Sequence, residues 1–235
     1  MSDDLLEIQR LDITVDQLRH RRTSLAERRA LEDARADQRE QQAAIDHIAA
    51  ERLEVTGRQR RLEDEAQILA ERVATDEGRL YGGEVSALKD LEALQHEIAG
   101  LRQRQEEMED QALEAMEVAE RLAGEIARLE TARADADDRV DALTAEIARL
   151  EVEIDDEITS VAGRRNGLAA GIDAALLDEY ERLRPAFGVA TAVRFDGSSC
   201  VGCPSEMPAM EVDRLRHLEG DAPGSCHECG RIVLR

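Results

Sequence analysis

The chain has 235 residues, and its 53 acidic and 31 basic side chains leave a formal charge of −22, with no Trp and only two Tyr and two Phe. So few large rigid side chains, diluted into 36% charge, exclude one big globular core, and long stretches of Ala, Glu, Leu and Arg favour extended helix without an obvious cavity for small-molecule chemistry. No run approaches the roughly 18 apolar residues of a membrane span, and the start, Met1-Ser2-Asp3-Asp4, is acidic where a secretory leader is basic, so a soluble, cytoplasmic protein is expected.

Two unlike parts follow from the distribution of charge, proline and cysteine. Residues 1–178 hold 24 basic and 44 acidic side chains, a net of −20, whereas 179–235 hold 7 and 9. Pro185, Pro204, Pro208 and Pro223 are the four prolines of the chain, so nothing before residue 185 forbids continuous helix on that ground. Near the beginning, Leu11, Leu18 and Leu25 keep a seven-residue spacing, but Leu25 to Ile48 is not a multiple of seven, which predicts a stutter within 26–44. A first heptad run then places Ile45, Arg52, Gln59, Ala66, Val73 and Leu80 at a, and Ile48, Val55, Leu62 and Leu69 at d, failing at Asp76.

The second run is cleaner. Its a positions are Leu91, Ile98, Gln105, Ala112, Ala119, Ile126, Arg133, Val140, Ile147 and Ile154, and its d positions are Leu94, Leu101, Met108, Ala115, Leu122, Leu129, Ala136, Leu143 and Leu150. A repeat of 3.5 sustained over so many turns is the signature of a coiled coil, because a helix with period 3.6 drifts off the seam. Between the runs lies Tyr81-Gly82-Gly83-Glu84-Val85-Ser86, where paired glycines stop a helix and Ser86 can cap the next. An antiparallel hairpin turning near 81–86 is the expected outcome; the alternative, a continuous helix dimerising in parallel, must carry Gly-Gly in mid-seam. Gln59 and Gln105 fall at similar distances from the turn and are expected in neighbouring layers.

After Ile154 the pattern decays through Gly163, Gly167 and Gly171, read as the helix end and a joint. Asp173 is a candidate N-cap for a short helix ending before Pro185, and Gly188 to Phe195 reads as a β-branched strand running into an Asp196-Gly197 turn. The expected domains are therefore a coiled-coil hairpin over 1–165, a joint and short helix over 166–187, and a small β domain over 188–235.

Cys200-Val-Gly-Cys203 and Cys226-His-Glu-Cys229 lie in that last part. Two CxxC hooks suit tetrahedral zinc, since each presents two thiolates at about 2.3 Å from one ion. A disulfide framework or a redox CxxC is the competing reading, disfavoured by the absence of an export signal. Four thiolates would leave no open coordination position, so one structural zinc is expected, with His227 a bystander. The tail, Gly230 to Arg235, reads as a closing strand, and Met207 to Leu218 as a short helix in the insertion between hooks.

Taken with the stretch Ser86 to Ile98 and the segment Leu176-Leu-Asp-Glu-Tyr-Glu-Arg-Leu183, these four cysteines make the chain resemble the bacterial family of C4-type zinc-ribbon proteins that carry a long N-terminal coiled-coil hairpin. The resemblance spans essentially the whole chain. It implies a mainly α fold in which the antiparallel hairpin precedes a four-cysteine zinc ribbon, with Cys200, Cys203, Cys226 and Cys229 as metal ligands and residues 81–90 as the hairpin tip. Where the family has Pro after Ile172 this chain has Asp173, and the insertion after Pro204 lacks a basic cluster. The resemblance further implies a role as a nucleic-acid-binding or regulatory interaction protein.

Clustered cations are what phosphate contacts need. On the ribbon the candidates are Arg194, Arg214, Arg216, Arg231 and Arg235, but Phe187 and Phe195 alone are available for stacking, so base-stacking recognition of single strands is expected to be weak. The helical arginines have Glu and Asp three or four residues away and read as a solvated face. No Gly-rich phosphate loop, no GxSxG and no helical i, i+4 pair among His20, His47, His96, His217 and His227 points to catalysis. The reading is a non-enzymatic zinc-binding adaptor whose ribbon docks a macromolecule, protein first, with RNA or DNA as the alternative.

Overall fold

Leu, Ala, Glu and Arg lose little side-chain freedom in a helix, and a Pro-free chain of them folds as helix almost end to end. In a computed structural model describing residues 2–203, 205–218 and 222–234, the helices are α1 (Ser2–Thr23), α2 (Ala26–Tyr81), α3 (Leu88–Ala169), α4 (Ala174–Phe187) and α5 (Ala209–Arg216). The strands are β1 (Ala192–Arg194), β2 (Gly224–Ser225) and β3 (Ile232–Leu234). The fold is a long helical hairpin, α1 and α2 against α3, followed by a small three-stranded sheet. None of the described helices is long and apolar enough to cross a membrane.

The seam behaves as heptad packing requires, since every a and d position named above between Leu91 and Ile154 is buried or half-buried. The chain turns after Tyr81, where Gly83 takes φ 78°. Ser86 does not cap α3: the first amides, of Asp90 and Leu91, bond to the carbonyl of Ala87, which stands at the cap instead.

Five expectations are corrected, the first being the strand read over Gly188 to Phe195: Gly188–Ala190 turns as a 3-10 helix straight off the end of α4, and the strand itself is only Ala192–Arg194. The discontinuity expected within 26–44 is a break of the helix itself at Ser24-Leu25, where Ser24 turns its amide and hydroxyl back to His20, and the seam then runs in phase from Leu31 through Ala34 and Gln38. Asp76 does not interrupt the seam; it is buried, with Arg79 one turn on bonded to its carboxylate at 3.1 Å. The second helix does not end at the glycines but runs through Gly163 and Gly167 to Ala169, since packing of Leu168 and Ala169 against a buried cluster outweighs a glycine cost of about 1 kcal/mol each. Pro185 lies inside the last turn of α4, which closes on Gly188 (φ 55°), whose amide bonds to the carbonyl of Arg184. Apart from these, Gln59 and Gln105 each bond within their own helix, to Glu63 and Glu109.

The chain packs as two compact units, Met1–Arg29 with Leu143–Arg235, and Ala30–Ala142. Within the second, Gln38 donates to Asp137, Arg133 to Gln42 and Arg139 to Asp37, and nearer the turn Arg72 pairs with Glu97 and Arg102 with Glu77. Within the first, Arg22 pairs with Asp155 and Arg28 with Glu151, while Arg165 reaches Asp12. Leu11 therefore lies level with the stretch near 165, about ten residues beyond the 140–155 that equal arms would give.

The core of the first unit joins helix to sheet: Leu5 and Ile8 of α1, Ile172, Leu176 and Tyr180 around α4, and Ala192, Ile232 and Leu234 of the strands form one buried cluster. Asp173 is the N-cap of α4, its Oδ1 accepting from the amides of Ala175 and Leu176 at 3.1 and 3.2 Å. The sheet order is β1-β3-β2, with β1 parallel and β2 antiparallel to β3, so the tail strand is central. Gln9 closes the outer edge of β1 by donating to the carbonyl of Ala192 at 2.9 Å and accepting from its amide at 2.7 Å. An edge that would otherwise expose unpaired backbone is covered by one helical side chain.

Candidate metal centre

The first hook leaves β1 through Phe195 and a turn built on Asp196, whose carboxylate accepts from the amides of Ser198 and Ser199 at 2.8 and 2.6 Å and from both hydroxyls. Those bonds, the amide of Ser198 foremost, hold the Asp196 carboxyl well below the usual carboxylate range. Within the hook the amide of Cys203 turns back to the carbonyl of Cys200 at 3.3 Å. Gly202 has no room for a side chain: a Cβ there would stand 2.7 Å from Arg231 Cδ and 2.9 Å from Val193 Cγ1.

The second hook sits between β2 and β3. Gly230, at φ 75°, bonds its amide to the carbonyl of Cys226 at 2.8 Å, and the amide of Cys226 bonds to the carbonyl of Arg231. A left-handed residue just past the second cysteine is the use to which glycine is suited. Cys200 and Cys226 are buried, Cys203 and Cys229 half-buried, and Val193, Leu215 and Val233 pack beneath them.

All four sulfurs lie within 4.8 Å of one another, with Cys200 to Cys229 and Cys203 to Cys226 both 3.9 Å. Tetrahedral ligation at a metal–sulfur distance near 2.3 Å places sulfurs about 3.8 Å apart, so the geometry fits one ion. It does not fit disulfides, which need about 2.05 Å. The four cysteines are thus positioned to hold a metal ion, and His227 is exposed and outside the cluster.

The sulfurs are electrostatically unequal. Burial pushes the Cys200 thiol up to about 12 and raises Cys226. Burial works to raise Cys229 as well, but bonds from the backbone and side chain of Arg231 and from the neighbouring sulfurs outweigh it and bring that thiol down to about 7. A positive ion at the centre would favour the thiolate form at every position.

The ribbon arginines are engaged within the chain. Arg194 pairs with Asp3, Arg214 with Glu211 and the carbonyl of Ser225, and Arg216 bonds to the carbonyl of Gly197. Arg231 donates to the carbonyl of Ala190 at 2.8 Å and lies 4.6 Å above the ring of Phe187. Arg235 lies outside the described residues. Sequence reasoning missed Gln9 and Arg231 as parts that shape the ribbon. Gln9 has no local signal, whereas Arg231, next to a hook glycine, could have been suspected of bracing it.

Fold and site together define a helical-hairpin protein bearing a four-cysteine sheet at its C-terminal end. The profile of the CT398-like coiled coil hairpin domain matches residues 8–188, and the chain belongs to that family; the matched span stops short of the cysteines. Uncharacterized proteins of two Mycobacterium tuberculosis strains, CDC 1551 / Oshkosh and H37Rv, are 34% identical over 241 residues, which cover 98% of this chain and 94% of theirs. A solved structure from Mycobacterium smegmatis is similar over 100% of this chain and 97% of its own, with TM-score 0.82 and 26% identity. The structure of CT398 from Chlamydia trachomatis shares the fold over 98% of this chain and 95% of its own, with TM-score 0.67 at 19% identity.

Proposed function

We propose that the protein is a non-enzymatic, zinc-binding adaptor of the cytoplasm; because the arginines of the ribbon are engaged within the chain, the surface for a protein partner is assigned to the hairpin and not to the ribbon, where the sequence reading put it, and the ribbon is held rigid by one structural zinc. The observation that supports this best is the closed set of four sulfurs, which offers an ion no open position for substrate or water. Soft thiolate donors in tetrahedral array suit zinc. A partner that is protein rather than nucleic acid accords with the charge of −22 and with the internal engagement of Arg194, Arg214, Arg216 and Arg231. The test is capture of partners from cell extract by the metal-loaded protein, with and without nuclease. Partners that survive nuclease support the adaptor, and capture abolished by nuclease favours the nucleic-acid reading. Metal analysis should return about one zinc per chain, and a chain purified without zinc would remove the ribbon's assigned role.

A further inference from the structure

Between the pairs Arg133–Gln42 and Arg72–Glu97, no ion pair joins α2 to α3 among the described residues. In this stretch Leu53, Leu113 and Met116 are 75%, 54% and 36% exposed. Leu113 and Met116 form, with Ala112, the apolar wall of a groove of about 250 Å³ whose rim is Gln59, Glu63 and Glu109. Leu53 follows the heptad a position Arg52, itself exposed here, as Leu113 follows the buried Ala112, so heptad phase puts both leucines on the same flank of their helices. The carboxylates of Glu63 and Glu109 accept from the amides of Gln59 and Gln105 and have no cationic partner among the described residues.

The α3 wall carries one sign of charge, while α2 brings Arg60, seven residues on from Leu53 and so on the same flank, to the other side. Between Arg104 and Arg121, α3 has seven carboxylates and no cation, and residues 30–142 hold 30 acidic against 15 basic side chains. A second copy would bring the same excess of negative charge to the groove. We infer that this groove docks a basic amphipathic helix of the partner, its apolar face against Leu113 and Met116 and its cations over Glu63 and Glu109. The furrow between two packed helices is a shape that a third helix fills, and Met is a side chain that adapts to varied apolar surfaces. This rests on the adaptor reading and names the site and partner chemistry within it.

A labelled synthetic Leu/Lys amphipathic helix, titrated into the full metal-loaded chain, tests it. Binding should weaken about tenfold or more in the double variant Leu113→Gln, Met116→Gln, and several-fold with a flatter salt dependence in Glu63→Gln, Glu109→Gln. All four are surface or rim positions, and far-UV circular dichroism checks that the helices persist. A scrambled peptide of the same composition should bind far more weakly. Equal binding by the scrambled peptide or by the Leu113→Gln, Met116→Gln variant, or no binding to the wild type, would overturn the inference. The partner capture separates it from the adaptor reading: nuclease-resistant partners that persist with the double variant sink the groove alone, and a wild type with no protein partner sinks the adaptor.

Discussion

Asp12 is buried on α1 and is met from two other helices: Tyr180 donates to its Oδ2 at 3.0 Å, Arg165 to its Oδ1 at 3.3 Å, and Arg184 to its backbone carbonyl at 3.4 Å. Burial, with Asp12 beside it, raises the Tyr180 phenol well above its ordinary value, so it stays a donor across the working pH range. Removing that hydroxyl in Tyr180→Phe should cost about 1–2 kcal/mol, the loss of one hydrogen bond to a charged acceptor. Asp12→Ala should cost more, about 3 kcal/mol, because Arg165 and Arg184 lose a shared counter-charge in a place largely closed to water. Urea denaturation of the metal-loaded chain ranks the two, and the reverse order would show that the carboxylate is not the centre of the network. Asp196 gives a pH prediction. A carboxyl depressed in the folded state contributes stability that is fully present above its unfolded value and lost as pH falls through the folded one. The gap in thermal midpoint between wild type and Asp196→Ala should therefore stay level from about pH 8 to about pH 5 and close only below about pH 4. A gap that grows toward neutral pH would point to another group. The cysteines were legible at this scale because spacing within a hook is local information. Asp12, Gln9 and Tyr180 were not, since their partners lie 153 to 183 residues away.

The hairpin was legible for a related reason: a heptad repeat writes the same burial instruction every turn, and nineteen seam positions agree with it where one alone says little. Individual departures from the repeat were harder to read. Asp76 passes as a seam residue because Arg79 sits one turn on, and Gly163 and Gly167 stay helical because Leu5 and Ile8, some 160 residues earlier, belong to the cluster that Leu168 and Ala169 pack against. At the turn, by contrast, glycine is required by local geometry. Gly83 has φ 78° in open space, so Gly83→Ala should cost about 1–2 kcal/mol, the strain of a Cβ in the left-handed region. Gly82→Ala should be worse, because its Cβ would stand 2.6 Å from the backbone carbonyl oxygen of Gly78, which cannot swing aside as a side chain would. Chemical denaturation followed by helical signal compares the two. Equal, negligible losses would mean that the turn tolerates another conformation.

At the scale of the whole chain, α1 belongs by packing to the ribbon as much as to the hairpin. Leu5 and Ile8 share a buried cluster with Ala192, Ile232 and Leu234, and Gln9 holds both backbone groups of Ala192. The strands have three, two and three residues, too few to persist without the hooks being tied together. Stripping the proposed zinc should then do more than loosen 188–235. Amide hydrogen exchange should rise in β1, β2 and β3 and, with them, in the part of α1 near Leu5 to Asp12, while residues 30–142, which pack as a separate unit, keep their protection. Most of the helical circular dichroism should survive, since α2 and α3 account for 56 and 82 residues. Restoring zinc should restore protection to the sheet and to α1 together. If chelation exposed the sheet and left α1 as protected as before, the cluster around Tyr180 would be holding α1 without the ribbon, and the first unit would be two modules rather than one.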